Sequence, residues 1–122
     1  MASVLIVDDS RTARMMLKHW LKSFRPDSEI LEAGNAEEAV KVAQTMPSDS
    51  MAIIDYNMPG ETGLELAEKL TDILPKKRMT LCTANIQEAV RNRAEAMGVF
   101  YIAKPMTPIK VKKVLEQMER TE

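Results

Sequence analysis

Cysteine is nearly absent from this 122-residue chain: Cys82 stands alone. No internal disulfide can form, and the position of Cys82 in an apolar run makes it a buried structural thiol suited to a reducing compartment. Excess charge is lacking as well. Seventeen basic residues against eighteen acidic ones leave a formal net charge of −1, which excludes a global basic field of the kind that holds nucleic acid or an anionic membrane surface. No apolar run reaches the length of a membrane span, and Met1-Ala2-Ser3 leads straight into the first strand without a signal peptide, so a cytoplasmic protein is expected. Internal repeats, linkers and low-complexity tracts are missing, which leaves a single domain over residues 1–122. The one histidine, His19, has no partner on its predicted helix and is assigned no role.

What the chain does have is a regular alternation of short apolar runs with longer stretches of helical period. Strands are predicted at Val4–Val7, Glu29–Ala33, Met51–Ile54, Met79–Thr83 and Phe100–Ala103. Between them, Ser10 caps a first helix with an inward stripe of Ala13, Met16, Leu17, Trp20, Leu21 and Phe24. Three capping-box spacings, Asn35 with Glu38, Thr62 with Glu65 and Asn85 with Glu88, open the next three helices. The third carries Leu66, Ala67, Leu70 and Leu74, and Gly98 ends the fourth. Thr107-Pro108 starts the fifth, with Val111, Val114, Leu115 and Met118 inward and Lys110, Lys112 and Lys113 on a solvated face. Met16, Met51, Met79, Met97 and Met118 are read as core filling. Five strands alternating with five helices predict an α/β fold, a doubly wound parallel sheet.

In such a sheet ligands sit beyond the carboxyl ends of the strands. Asp8, Asp9, Asp55, Thr83 and Lys104 all fall at those ends. Singly each is unremarkable: an Asp pair is most often a turn or cap, a strand threonine is ordinary, and a terminal lysine solubilises. Together, three acids on one rim would repel each other without a cation among them. Asp8, Asp9 and Asp55, with a backbone carbonyl just after Asp55, that of Asn57, make an oxygen shell of the kind Mg2+ takes. Lys104 can meet a phosphoryl group from the other side, a carboxylate can act as nucleophile, and the Thr83 hydroxyl can sense the product.

At Val7-Asp8-Asp9-Ser10, Asp55-Tyr56-Asn57-Met58-Pro59 with Gly63, Thr83-Ala84 and Lys104-Pro105, the chain resembles the receiver domains of two-component response regulators, most closely the single-domain CheY-like chemotaxis type. The resemblance implies the flavodoxin-like strand order 2-1-3-4-5. It implies that Asp55 accepts phosphate from the phosphohistidine of a sensor histidine kinase, that Asp8, Asp9, Asp55 and the Asn57 carbonyl hold Mg2+, and that Lys104 holds the phosphate. It further implies that Thr83 and the aromatic Tyr101 form a switch, that Lys104-Pro105 is cis, and that the face from the fourth helix through the fifth strand to the fifth helix binds a downstream protein. Such a protein signals rather than catalyses, beyond accepting and losing its own phosphate.

Other classes fit less well. A haloacid-dehalogenase-type phosphatase wants a second acid two residues after its nucleophile, where this chain has Asn57. A flavodoxin-like flavin binder needs phosphate donors after strand one, where Asp8-Asp9 would repel. A receiver cut from a longer regulator, or a phosphate sink without its own target, reads the same in sequence.

Overall fold

The alternating pattern becomes five strands and five helices in the computed structural model, which describes residues 3–84 and 87–120. In chain order these are β1 (Val4–Val7), α1 (Arg11–Phe24), β2 (Ile30–Ala33), α2 (Ala36–Ala43), β3 (Met51–Asp55), α3 (Gly63–Leu70), a 3-10 turn at Lys76–Arg78, β4 (Met79–Thr83), α4 (Glu88–Met97), β5 (Phe100–Ala103) and α5 (Pro108–Glu119). The strands form one parallel sheet in the order β2-β1-β3-β4-β5, as the resemblance implies.

Strand alternation divides the core in two. Leu5, Val7, Ala52, Ile54, Met79 and Leu81 point to one side, where they pack against α2, α3 and α4. Val4, Ile6, Met51, Ile53 and Cys82 point to the other, toward Leu17 and Leu21 of α1 and Val111, Val114, Leu115 and Met118 of α5. Both faces are covered, which is why β1 and β3 read as unbroken apolar runs. The far ends of α1 and α5 are clamped together by Arg25, which donates from Nε to Glu119 Oε2 at 2.7 Å and from a terminal nitrogen to Oε1 at 2.5 Å.

The caps follow the sequence with instructive exceptions. Ser10 Oγ accepts from the Ala13 N–H at 3.2 Å, and Thr62 and Glu65 exchange both capping-box bonds. Asn35 accepts from the Glu38 N–H at 2.8 Å, but the Glu38 carboxylate reaches one residue further back, to the Gly34 N–H at 3.0 Å. Asn85 lies outside the described residues, and Gln87, at the start of α4, makes no side-chain capping bond. Helix α3 stops at Leu70 instead of running to Leu74, because the Thr71 hydroxyl donates to the Glu68 carbonyl and the chain tightens into a turn that still buries Leu74. β2 begins at Ile30 rather than Glu29, although the Glu29 carbonyl already accepts from the Val4 N–H at 2.9 Å.

Two expectations are corrected. Met16 does not fill the core: it is 48% exposed, on the flank of α1 beside the strand ends. Lys110 is not on a solvated face, since its Nζ donates to the Ala103 carbonyl at 2.9 Å and the Pro105 carbonyl at 3.1 Å. Lys112 and Lys113 are exposed, and so is His19. Among the described residues no helix is long and apolar enough to cross a membrane.

Candidate functional site

Parallel register brings the charged strand ends to one rim. Val7 pairs with Ile54 and Asp55 with Cys82, so Asp8, just past β1, lies beside Asp55, the last residue of β3. Asp8 and Asp55 are each only 4% exposed, whereas Asp9 faces solvent. Local bonds hold them in place. Asp8 Oδ1 accepts from the Ser10 N–H at 2.8 Å, so the residue that caps α1 also orients the first acid. Arg14, one turn into α1, donates to the Asp8 carbonyl at 2.5 Å and is itself held by Glu32 at 3.1 Å. Asp55 Oδ1 accepts from the Asn57 N–H at 3.4 Å. Asp8, Asp9 and Asp55 each present an oxygen, and the three oxygens lie within 4.8 Å of one another.

Lys104 comes to the same rim from β5. Its Nζ is 3.0 Å from Asp55 Oδ1 and 3.5 Å from Asp8 Oδ2, and its N–H donates to the Thr83 carbonyl at 2.9 Å. The Lys104-Pro105 bond is cis. Lys110 grips the carbonyls on either side of Lys104, a role the sequence hid because it needs the turn before α5 to fold the chain back. The only local signal was its place one turn past the Thr107 cap.

The electrostatics match this crowding. Burial raises the pKa of Asp55, the hydrogen bond from Lys104 pulls it back, and the charge of Asp8 pushes it up again, leaving it above the ordinary value. Burial works to lower the Lys104 pKa, but the hydrogen bond and charge of Asp55, with Asp8, outweigh it and the ammonium is held more firmly. Burial pushes the Cys82 thiol up to about 12, so it stays protonated, with its sulfur 3.8 Å from that of Met106.

Thr83 ends β4, 1% exposed, and pairs with Ala103 across the sheet. Tyr101 is half-buried on the α4 side, with the Arg91 guanidinium 5.9 Å from its ring centroid. Asp8, Asp9, Asp55 and Lys104 are thus brought together, and Thr83 is joined to them through the backbone of Lys104. Tyr101 stands apart, on the opposite side of the sheet from the carboxylates.

Three hard carboxylate donors suit a divalent cation such as Mg2+, whose octahedron spans about 4.2 Å. The three oxygens lie within 4.8 Å of one another, close enough to be gathered by one such cation. Lys104 meanwhile compensates Asp8 and Asp55. We expect Lys104→Ala, in EDTA, to lose about 1–3 kcal/mol of unfolding free energy, because two buried carboxylates are left facing each other. Millimolar MgCl2 should restore part of the loss where the same ionic strength of NaCl does not. Urea unfolding measures both, and equal recovery in the two salts would count against a cation site.

The sequence model of the response regulator receiver domain matches residues 4–116. The chain belongs to that family. The receiver is 34% identical over 120 residues to a chemotaxis protein CheY homolog of Campylobacter jejuni, covering 94% of this chain and 90% of the relative. It is 33% identical over 110 residues to the cyclic di-GMP phosphodiesterase response regulator RpfG of Xanthomonas campestris, covering 87% of this chain but only 29% of that protein. Other relatives are also longer, and the receiver spans about half of them. Its fold superposes on chemotaxis protein CheY4 of Vibrio cholerae with a TM-score of 0.84 at 29% identity, covering 97% and 98% of the two chains. A response regulator of Burkholderia pseudomallei, described with a phosphorylated aspartic acid and a calcium ion, aligns with a TM-score of 0.82 at 25% identity, covering 97% of the receiver and 66% of that chain.

Proposed function

We propose that this receiver is a phosphorylation-activated switch in which Asp55 accepts a phosphoryl group from the phosphohistidine of a sensor histidine kinase. The observation that carries this is the single ammonium of Lys104 set between Asp55 and Asp8, at 3.0 and 3.5 Å, on the rim where the strands end. The phosphorylated aspartic acid and calcium ion described for the Burkholderia protein support it.

In the transfer, an Asp55 carboxylate oxygen bonds to phosphorus as the phosphorus–nitrogen bond breaks, and the imidazole nitrogen keeps the bonding pair and takes a proton. Lys104 trades its pairing with Asp55 for the arriving phosphoryl oxygens. Asp8, Asp9, Asp55 and the Asn57 carbonyl would hold Mg2+, which would supply positive charge to neutralise the phosphoryl oxygens alongside Lys104. The Thr83 hydroxyl then bonds the phosphoryl group, the Tyr101 ring moves, and the α4-β5-α5 face changes for a downstream protein. The whole of residues 1–122 acts as this one module, in the cytoplasm, with no catalysis beyond gaining and losing its own phosphate.

Incubation with MgCl2 and acetyl phosphate, followed by intact mass, should show one added phosphoryl group, mapped to Asp55 by peptide analysis after borohydride reduction and absent in EDTA. Mapping to any other residue would refute the assignment.

A further inference from the structure

An apolar hollow of about 190 Å3 opens beside the acidic rim, between α1 and the turn after β5. Ala13, Met16, Leu17, Trp20, Pro105 and Met106 line it, and Asp8 and Lys104 stand at one end. Met16 belongs to it, which explains why a helix-stripe methionine is left half exposed. Aliphatic sulfur and indole surfaces beside a charged rim ask for a ligand with the same division: an apolar body and an anionic head. Size narrows the class, since a cavity of about 150 Å3 lined by apolar side chains is enough to bind benzene.

We infer that this hollow is an acyl-group subsite, which admits small acyl phosphates with apolar acyl groups of about four to seven carbons as direct phosphodonors to Asp55. The inference rests on Asp55 being the acceptor. Charge complementarity selects this occupant: Lys104 attracts the phosphoryl end, while Asp8 disfavours a bare anion and so favours a phosphate that arrives with a divalent cation. In the reaction an Asp55 oxygen bonds to phosphorus, the bond from phosphorus to the bridging oxygen breaks, and the acyl carboxylate leaves with that oxygen and its electron pair. No proton or co-reactant is needed.

The test compares acetyl, butyryl and benzoyl phosphate as donors to the whole protein in MgCl2, following phosphorylation by intact mass. Butyryl and benzoyl phosphate should react about tenfold faster than acetyl phosphate at equal low concentration. Ala13→Leu fills the hollow with a good helix former, and should bring the three rates together while leaving the acetyl rate unchanged. Binding is read separately from transfer. Trp20 is the only tryptophan, so its fluorescence should change saturably with benzoylphosphonate, which cannot transfer its phosphorus, and not with acetylphosphonate. That change should vanish in Ala13→Leu. Equal rates for all three donors in the wild type, or a rate difference that survives Ala13→Leu, overturns the subsite while leaving Asp55 as acceptor. The subsite is overturned in the same way if Ala13→Leu impairs only transfer from a phosphohistidine protein, which would mean that a partner helix occupies the hollow. Failure of every donor to phosphorylate Asp55 overturns both readings.

Discussion

Asp55→Asn is expected to take up no phosphoryl group from any donor and, in EDTA at pH 7, to be about 1 kcal/mol more stable than the wild type. The first half follows from chemistry, because an amide lacks the anionic oxygen that would attack phosphorus. The second follows from burial. Asp55 is almost wholly buried beside Asp8, and burial foremost, with the Asp8 charge adding, holds its pKa above the ordinary value despite Lys104. A carboxyl whose folded-state pKa lies above its unfolded value of about 3.9 favours the protonated form in the fold. The wild type therefore loses stability as pH rises from about 4 through the folded-state pKa, and the amide variant escapes that loss. The stability gap should open above about pH 4 and close below it. Urea unfolding of both proteins across that range measures the effect. A variant less stable than wild type at pH 7 would mean that the bond from Lys104 outweighs the cost of burying Asp55.

Gly63→Ala is expected to destabilise the receiver by about 2–4 kcal/mol, although alanine is the better residue inside a helix by about 1 kcal/mol. Gly63 opens α3 and its N–H donates to the Tyr56 carbonyl at 2.9 Å, which draws the helix start against the end of β3. A Cβ there would stand 2.3 Å from the Asp55 carbonyl oxygen and 2.8 Å from the Tyr56 Cα. Those atoms are backbone and cannot swing aside as a side chain can, so β3 and α3 must separate. The strand end that has to give carries Asp55. We therefore expect acetyl phosphate to label Gly63→Ala more slowly even where the variant is folded. An unchanged urea midpoint would show that α3 can shift without cost.

The fold was legible because its signals are local. Ser10, Thr62 and Thr107 start helices by bonds that span only three residues, and β1 and β3 announce their burial by having no polar position before the strand end. The candidate site was legible for a different reason: a charged residue directly after an apolar run stays at the strand's end whatever the rest of the chain does, and parallel register then gathers Asp8, Asp55 and Lys104. Features that depend on two distant segments were hidden. Met16 looks like a core residue in its own helix and becomes a surface residue only because Pro105 and Met106 leave a hollow against it. Lys110 looks solvated until the turn after β5 presents two carbonyls to it. Gly63 stood in the sequence as one residue of the receiver motif, but the reason for it, an approach of backbone to backbone, emerges only in the fold.

The alternation along the strands has a further consequence. Asp8, Asp55 and Lys104 continue the side of the sheet occupied by Ile6, Ile53 and Ile102, toward α1 and α5, whereas Thr83 and Tyr101 share the parity of Leu81, toward α4. If Asp55 is the acceptor proposed above, news of a phosphate there crosses the sheet, through the thickness of one strand, to reach Tyr101. On the proposed reading, a donor that approaches over α1 leaves α4 uncovered but comes up against α5, which packs beside α1 on the same side of the sheet. The proposed recipient face, α4-β5-α5, therefore spans both sides of the sheet, and only its α4 half lies away from such a donor.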